Sequence, residues 1–312
     1  MSIRKIAFEE GWQYLEEGIA KLTKILEGYD SRGILTPSEL IHFYDCVYTL
    51  CLQRPEPCQE VYCRFKMSLD RAISSLVLPS LMDKDNEALL HELVRMWLNY
   101  QVMVRFLSFI FSYLERCYTI RVAVPPLKDV AASCFCDLVC PALSGKIRNA
   151  VISMIHQERE GQKIDVDLLQ NFMGFILDAG TAVQGFYKEF EKAIFECTLT
   201  HHAQKASEWI MECTLEDYLL KVGECLKREG ERLSRYLIVS SSFTTQTSLK
   251  VVESQLLSVY EHHLKDKQLD ANLSLQTYMD VYQELLPRCS SLTLGDGNVG
   301  AAPRMDMELK KT

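Results

Sequence analysis

Twelve cysteines carry the most varied chemistry in this 312-residue chain, because a thiol can bind a metal or form a disulfide. The densest set is Cys134, Cys136 and Cys140, with Cys58 and Cys63 upstream. Zinc sites usually present paired CxxC knuckles, and the sequence contains no CxxC. The N-terminal MSIRKIAFEEGW lacks an apolar core of signal-peptide length, so we expect a cytoplasmic or nuclear location and reduced thiols. We therefore predict no metal site and cysteines that pack as small apolar side chains.

Other catalytic patterns are incomplete. His91 and Glu92 begin an H-E-x-x-H zinc pattern that fails because residue 95 is arginine. The glycines of GDGNVG (295–300) spell a dinucleotide-binding loop, but no predicted strand precedes them. Adjacent histidines point to different helix faces, so we expect exposed or capping roles for both histidine pairs. These pairs are His201-His202 and His262-His263. We predict no catalytic residue, no cofactor and no enzymatic activity.

The charge balance argues against a nucleic-acid partner. Lys and Arg total 34 against 42 for Asp and Glu, a net charge of -8, whereas phosphate binding needs a clustered positive field. The most apolar stretch runs from Val102 to Leu114 and is interrupted by Arg105, so it is shorter than the roughly 20 residues of a bilayer span. We expect neither nucleic acid nor membrane as a partner.

Helical periodicity extends along most of the chain, and no alternating run predicts a strand. The predicted helices are 12–26, 37–52, 59–82, 87–100, 102–121, 127–160, 165–179, 183–199, 203–211 and 215–238, with a partial series over 247–286. Pro55 and Pro57 end the second helix, and Pro125-Pro126 follows the fifth. This pattern predicts an all-α, elongated rod of stacked five-helix bundles.

The helix pattern repeats after about 115 to 120 residues, which sets the predicted domain organisation. We expect a first repeat over 1–122, a second over 123–241, a partial third over 242–287 and a disordered tail over 288–312. The tail begins after Pro287, where the run SSLTLGDGNVGAAPR has the composition of an unfolded segment.

Two predicted helices carry more apolar surface than one packing face requires. In the fifth helix the two apolar stripes are Val104, Leu107, Phe111, Leu114 and Tyr118, and Met103, Phe106, Ile110, Tyr113 and Cys117. In the second helix they comprise Leu40, Tyr44, Val47 and Cys51, flanked by Ile41 and Tyr48. One stripe is enough to pack a helix onto a bundle. The excess indicates either a central helix surrounded on most sides or a surface that binds a partner, and periodicity does not choose between them.

Several collinear segments resemble the cullin family. The run WLNYQVMVRFLS (97–108) is similar to the cullin W-x-N-x-x-V-M-V-R-x-L-S element, and YDCVYTLC (44–51) to Y-x-x-V-Y-x-x-C. Four further runs that resemble cullin elements are QEREGQKID (157–165), EFEKAIFECT (189–198), KASEWI (205–210) and DYLLKVGECLKREGERLSRYL (217–237). The resemblance covers about 4–265 and is strongest to plant cullins of the SCF class, over 4–26 and 103–116.

The resemblance implies a scaffold of stacked five-helix cullin repeats. The first cullin repeat docks a Skp-type adaptor that carries an F-box receptor, mainly through its second and fifth helices. Matching positions predict an adaptor-binding set of Leu40, Ile41, Tyr44, Asp45, Val47, Tyr48, Met103, Phe106, Ile110, Tyr113 and Arg116. Asp45 and Arg116 would set orientation through charge complementarity. For each single residue a role in the core stays open.

The resemblance weakens towards the end of the sequence. A full cullin continues into a globular domain that binds the RING-H2 protein and carries the lysine modified by a ubiquitin-like protein, and nothing after Leu286 resembles it. We therefore expect no such lysine, no RING-H2 partner, and an arm that takes part in, or competes with, a ubiquitin ligase. The alternative is a helical tether of a non-ubiquitin assembly, with its partner on a different surface.

Overall fold

Helices form every regular element that the structure describes. The computed structural model covers residues 6–53, 55–236, 250, 252–254 and 256, and within them the all-α prediction is confirmed. The helices are α1 (Phe8–Thr23), α2 (Pro37–Leu52), α3 (Cys58–Ala72), α4 (Leu78–Met82), α5 (Asn86–Ile110), α6 (Ser112–Leu114), α7 (Ile120–Val122), α8 (Leu127–Arg159), α9 (Val166–Ala179), α10 (Gln184–Glu212) and α11 (Leu215–Tyr236). Single π-helical turns at Ile73–Val77 and Glu115–Thr119 join α3 to α4 and α6 to α7, and a 3-10 turn at Gly180–Val183 precedes α10.

The start of α2 is specified by local chemistry. The Thr36 hydroxyl accepts a hydrogen bond from the backbone N–H of Glu39 at 3.2 Å, and the Glu39 carboxylate accepts one from the backbone N–H of Thr36 at 2.8 Å. This reciprocal capping box satisfies two amides that the first turn leaves without helical partners. Pro37 occupies the first helical position, where its missing N–H costs nothing. The predicted span of the second helix, 37–52, is therefore confirmed.

The capping box gives α2 an acid-sensitive start. Hydrogen bonds from Lys21 Nζ, at 2.7 Å, and from Thr36 lower the pKa of Glu39 from 4.5 to about 2. A lowered pKa stabilises the fold above pH 4.5, and this contribution is lost as the pH falls towards 2. We expect Glu39→Gln to lower the melting temperature at pH 7, and the difference from the unmutated protein to close by about pH 2. Thermal melts at several pH values test this, with the exposed Glu27→Gln as the control. A gap between the Glu39→Gln and unmutated melting temperatures that is as wide at pH 2 as at pH 7 would contradict it.

Two predicted helix boundaries are wrong. The predicted helices 87–100 and 102–121 share one continuous helix, α5, which passes through Gln101 and ends at Ile110. Gln101 is a good helix former, so nothing local stops the helix there. The regular hydrogen bonding is interrupted instead at Phe111, whose φ of -93° and ψ of 11° lie outside the helical range. The predicted helices 183–199 and 203–211 are likewise both part of α10.

The chain divides into two compact units, Met1–Cys197 with Ser234–Ser240 and Thr198–Leu233 with Ser241–Thr312. In the first unit a single hydrophobic core extends from Trp12 to Phe190. Helix α5 is central to it, because it packs against α8 and α9 on one side and against α1 and α2 on the other. In the second unit a smaller core gathers Ala206, Tyr218, Val222, Val252 and Leu256.

The core of the first unit is continuous across residue 122, where we predicted a repeat boundary. The Tyr100 hydroxyl on α5 donates a hydrogen bond to the Ala131 carbonyl on α8 at 2.9 Å. The predicted first repeat and the part of the predicted second repeat up to Phe190 therefore share one interior, and the assignment of the repeats stays a prediction. The predicted partial repeat 242–287 lies outside the described residues except for five positions, and the predicted tail 288–312 lies wholly outside them.

Helix α8 is long and apolar enough to cross a membrane by length and composition alone. Half of its most apolar window is buried within the protein, and the helix packs against α3, α5 and α9. A core helix in such a position needs an apolar sequence whether or not a bilayer is present. Its packing against three helices accounts for the composition of α8.

Candidate functional site

An aromatic surface spans α2, the end of α5, α6 and the π-helical turn Glu115–Thr119. We use this name for Ile41, Tyr44, Tyr48, Phe109, Tyr113 and Arg116. The Tyr48 and Tyr113 rings meet edge to face with centroids 4.6 Å apart. Tyr44 lies between Tyr48 and Phe109, with centroid distances of 6.4 and 6.1 Å. Such aromatic pairs are stabilised beyond the effect of the apolar area they bury. They hold the rings in a fixed arrangement, so this surface is preorganised.

The sequence of α2 explains why part of the surface faces outward. Phe43, Cys46, Val47 and Leu50 are buried against the core. Ile41, Tyr44 and Tyr48 occupy the opposite positions of the same helix at i, i+3 and i+7. Ile41 keeps 53% of its surface exposed and Tyr48 keeps 40%. For apolar side chains on one helix, this exposure forms a continuous stripe rather than scattered single residues.

Arg116 is the cation of the aromatic surface. Its guanidinium donates a hydrogen bond to the Tyr44 hydroxyl at 3.1 Å and lies 6.0 Å from the centroid of the Tyr113 ring. A guanidinium at this distance from an aromatic ring is attracted by its electron-rich face. Burial raises the pKa of Tyr113, so its hydroxyl stays neutral at physiological pH. Arg116 thus connects the π-helical turn Glu115–Thr119 to α2, and it remains exposed to solvent.

The structure separates the eleven predicted binding residues into two sets. Eight lie at least partly at the surface: Leu40, Ile41, Tyr44, Asp45, Tyr48, Phe106, Tyr113 and Arg116. Val47, Met103 and Ile110 are 0, 0 and 2% exposed, and they pack in the core of the first unit. In this conformation these three side chains offer no surface to a partner, because neighbouring helices cover them.

The sequence-based set missed Phe109, which is 48% exposed. A signal was available, because Phe106, Phe109, Tyr113 and Arg116 follow i, i+3, i+7 and i+10, which is one helical face. The predicted stripe instead combined Met103 and Ile110, which are buried, with Phe106 and Tyr113, which lie partly at the surface. The residue spacing identifies both faces of the helix, but only the packing of the neighbouring helices shows which face is exposed.

Most cysteines in the described ranges pack as predicted. Cys58, Cys134, Cys136 and Cys140 are each at most 5% exposed, whereas Cys63 lies on the surface, contrary to expectation. Burial raises the pKa of Cys134 to about 12, so this thiol stays protonated and unreactive at neutral pH.

The expectation that the first histidine pair is exposed was wrong for His202, which is 2% exposed. In the second unit its Nε2 lies 3.5 Å from a Glu229 carboxylate oxygen, and its Nδ1 lies 3.3 Å from Cys225 Sγ. Helices α10 and α11 carry these residues and pack on each other around Ala206 and Tyr218. The two histidines do lie on different faces of α10, as the sequence predicts, but the sequence alone did not show that the face of His202 is covered by α11. The predicted pair His262-His263 lies outside the described residues.

The aromatic surface has the composition of a protein-binding site. It combines tyrosine, phenylalanine and arginine, which are enriched in protein–protein interfaces. Tyrosine and arginine are also common among the residues that contribute most of the binding energy. Its members are held by ring contacts and by one hydrogen bond to arginine, and none of them forms a nucleophile–base pair. This arrangement suits recognition of a second macromolecule.

Comparison with known proteins supplies a family for this architecture. A family model, the cullin alpha solenoid domain, matches residues 12–294. Putative cullin-like protein 2 of Arabidopsis thaliana is 36% identical over 257 residues, which are 81% of this chain and 68% of that protein. Cullin-1 of Oryza sativa subsp. japonica is 40% identical over 268 residues, or 85% of this chain and 36% of that protein.

Coverage differs among the relatives. Cullin-like protein 3 of Arabidopsis thaliana is 31% identical over 234 residues, which are 75% of this chain and 91% of that protein. The chain thus spans about a third of the rice cullin but most of the shorter cullin-like relatives. The family match includes α2, α5, α6 and the π-helical turn Glu115–Thr119, which carry the aromatic surface. The chain belongs to the cullin family.

Proposed function

We propose that the chain is a noncatalytic scaffold component of ubiquitin ligase complexes, and that its aromatic surface binds a Skp-type adaptor carrying an F-box receptor. Cullins are scaffold components of such ligases. The observation that carries the proposal is the preorganised aromatic surface on α2, the end of α5, α6 and the π-helical turn that follows it. These are the elements for which the family resemblance implies adaptor contact.

The side chains of the aromatic surface and of Asp45 would contribute to adaptor binding in different ways. Ile41, Tyr48 and Phe109 are 53, 40 and 48% exposed, so a partner would remove a large apolar area from water at each of them. Tyr44 and Tyr113 are half-buried and already held in place by their neighbours, which lowers the entropy lost on binding. Asp45 and Arg116 are exposed and opposite in charge, and they would favour one orientation of the adaptor.

Direct binding tests the proposal. We expect the purified chain to bind a reconstituted Skp-type adaptor–F-box complex in surface plasmon resonance. Tyr48→Ala combined with Tyr113→Ala should weaken the affinity by at least tenfold, since the two rings form the closest aromatic contact of the surface. The matched control is Tyr29→Ala, because Tyr29 is 61% exposed and lies outside α2 and α5.

Two results would overturn the proposal: no adaptor binding by the unmutated chain, or an equal loss for Tyr29→Ala. A helical tether of a non-ubiquitin assembly predicts the first of these. Circular dichroism of the double variant separates lost contacts from lost folding. An unchanged melting curve with weaker binding assigns the effect to the surface.

A further inference from the structure

Three cysteine side chains meet one helical turn away from the aromatic surface. The Sγ atoms of Cys51, Cys58 and Cys117 all lie within 4.8 Å of one another. Cys51 follows Tyr48 on α2, and Cys117 follows Tyr113 in the π-helical turn. Cys58 is the first residue of α3. The group therefore joins three elements of the first unit at one point.

The backbone around this thiol cluster is specialised. The π-helical turn Glu115–Thr119 carries Cys117, and π turns concentrate at functional sites because the extra residue redirects a side chain. Cys51 and Cys58 are 4 and 2% exposed, whereas Cys117 is half-buried. The cluster is thus enclosed on the side of α2 and α3 and accessible from the side of the π turn.

The thiols of this cluster differ in their electrostatic surroundings. Hydrogen bonds from Cys51 and Cys117 and the nearby positive charge of Arg121 lower the pKa of Cys58. The hydrogen bond to Cys58, together with burial, raises the pKa of Cys51. Arg121 is itself paired with Glu56 at the surface. Thiolates rather than thiols are metal ligands, so a bound ion must displace the thiol protons.

The spacing of the three sulfur atoms fits a small, soft ion. A metal at about 2.3 Å from each sulfur, in the plane of the three, separates the sulfurs by about 4 Å. The observed limit of 4.8 Å requires each side chain to move by less than about 1 Å, which lies within rotamer adjustment. The backbone therefore needs no rearrangement for all three thiolates to bind one ion.

The number of ligands selects the metal. In the part of the chain that the structure describes, this group contains no histidine or carboxylate as a fourth ligand. Structural zinc sites are almost always four-coordinate, whereas soft thiolate ligands also select Cu(I). We propose that Cys51, Cys58 and Cys117 bind one Cu(I) ion as a three-coordinate thiolate site. The protons of the thiols leave to solvent on binding, and no change of oxidation state is involved.

Copper titration of the reduced 312-residue chain tests this proposal without any adaptor. Cu(I) is supplied anaerobically as its bicinchoninate complex, and unbound cysteines are then alkylated and mapped by mass spectrometry. We expect the first equivalent to slow the alkylation of the half-buried Cys117 relative to the copper-free chain, while the exposed Cys63 is alkylated equally in both. X-ray absorption should show three sulfur atoms at about 2.3 Å.

Variants separate this site from the other thiols. Cys117→Ser should reduce the coordination to two sulfurs and weaken the affinity at least tenfold, whereas the exposed Cys63→Ser should match the unmutated chain. Because Cys117 is half-buried, its serine variant should fold, which a melting curve checks. If that variant does not fold, the alkylation map of the unmutated chain decides the question. Equal alkylation of Cys117 with and without copper, or equal affinity in a folded Cys117→Ser, would overturn the proposal, as would preferential binding of Zn²⁺ in direct competition.

Discussion

Phe135→Ala should lower the free energy of unfolding of the first unit by about 3–5 kcal/mol, the range for a buried phenylalanine. Phe135 on α8 is 0% exposed. Its ring centroid lies 5.0 Å from that of Trp97 and 5.1 Å from that of Tyr100, both on α5, and 6.1 Å from that of Phe175 on α9. The substitution would leave a cavity where three helices meet. Guanidinium unfolding followed by tryptophan fluorescence measures the loss, since Trp97 is in contact with the site.

Phe109→Ala is the matched control for Phe135→Ala. Phe109 is the same residue type on α5 but is 48% exposed, so its removal should cost about 1 kcal/mol or less. An equally small loss for both variants would mean that the contact of α5, α8 and α9 does not hold the first unit together. The pair also separates stability from recognition, because Phe109 lies in the aromatic surface.

Gly18→Ala should destabilise the first unit by about 1–3 kcal/mol, although alanine is the better helix former. A Cβ atom on Gly18 would lie 2.8 Å from Cζ of Phe43, where α1 approaches α2. Phe43 is 2% exposed and stacks near Tyr14 with centroids 4.7 Å apart, so its ring cannot move aside without disturbing a second aromatic residue. Equilibrium unfolding in guanidinium gives the change.

Gly145→Ala isolates the effect of helix propensity. Gly145 lies within α8, and in the described part of the chain no side chain or neighbouring element comes within 4 Å of an added Cβ atom. This variant should be stabilised by roughly 0.5–1 kcal/mol, because alanine loses less backbone entropy than glycine on folding. Opposite signs for the two glycines are expected. Stabilisation by Gly18→Ala would show that α1 and α2 do not pack closely at this point.

The class of the fold was predictable because its signals are local. Pro37 and the proline pair after α2 delimit that helix without reference to any other part of the chain. The merging of predicted helices at Gln101 was not predictable with the same rules, since a weak break in periodicity does not interrupt a helix whose residues all favour helical geometry. A short stretch of sequence does not show tertiary packing. The observed interruption at Phe111 could therefore not be predicted in the same way.

The candidate site was predictable in its helices and less so in its residues. The wide apolar faces of the second and fifth predicted helices indicated a possible binding surface. The family resemblance implied that this surface binds an adaptor. Val47 and Met103 were included because periodicity defines faces but not which face the neighbouring helices cover. The thiol cluster was missed for a different reason. Cys51 and Cys117 are far apart along the chain, and no spacing rule brings them together before the fold is known.

The continuity of α5 has a mechanical consequence. One uninterrupted helix carries Trp97 in the aromatic interior and Phe109 at the outer surface. Because a continuous helix is rigid, we expect a displacement of its outer end to be transmitted to its middle. We therefore expect a ligand that fixes the end of α5 to stabilise its contact with α8 as well.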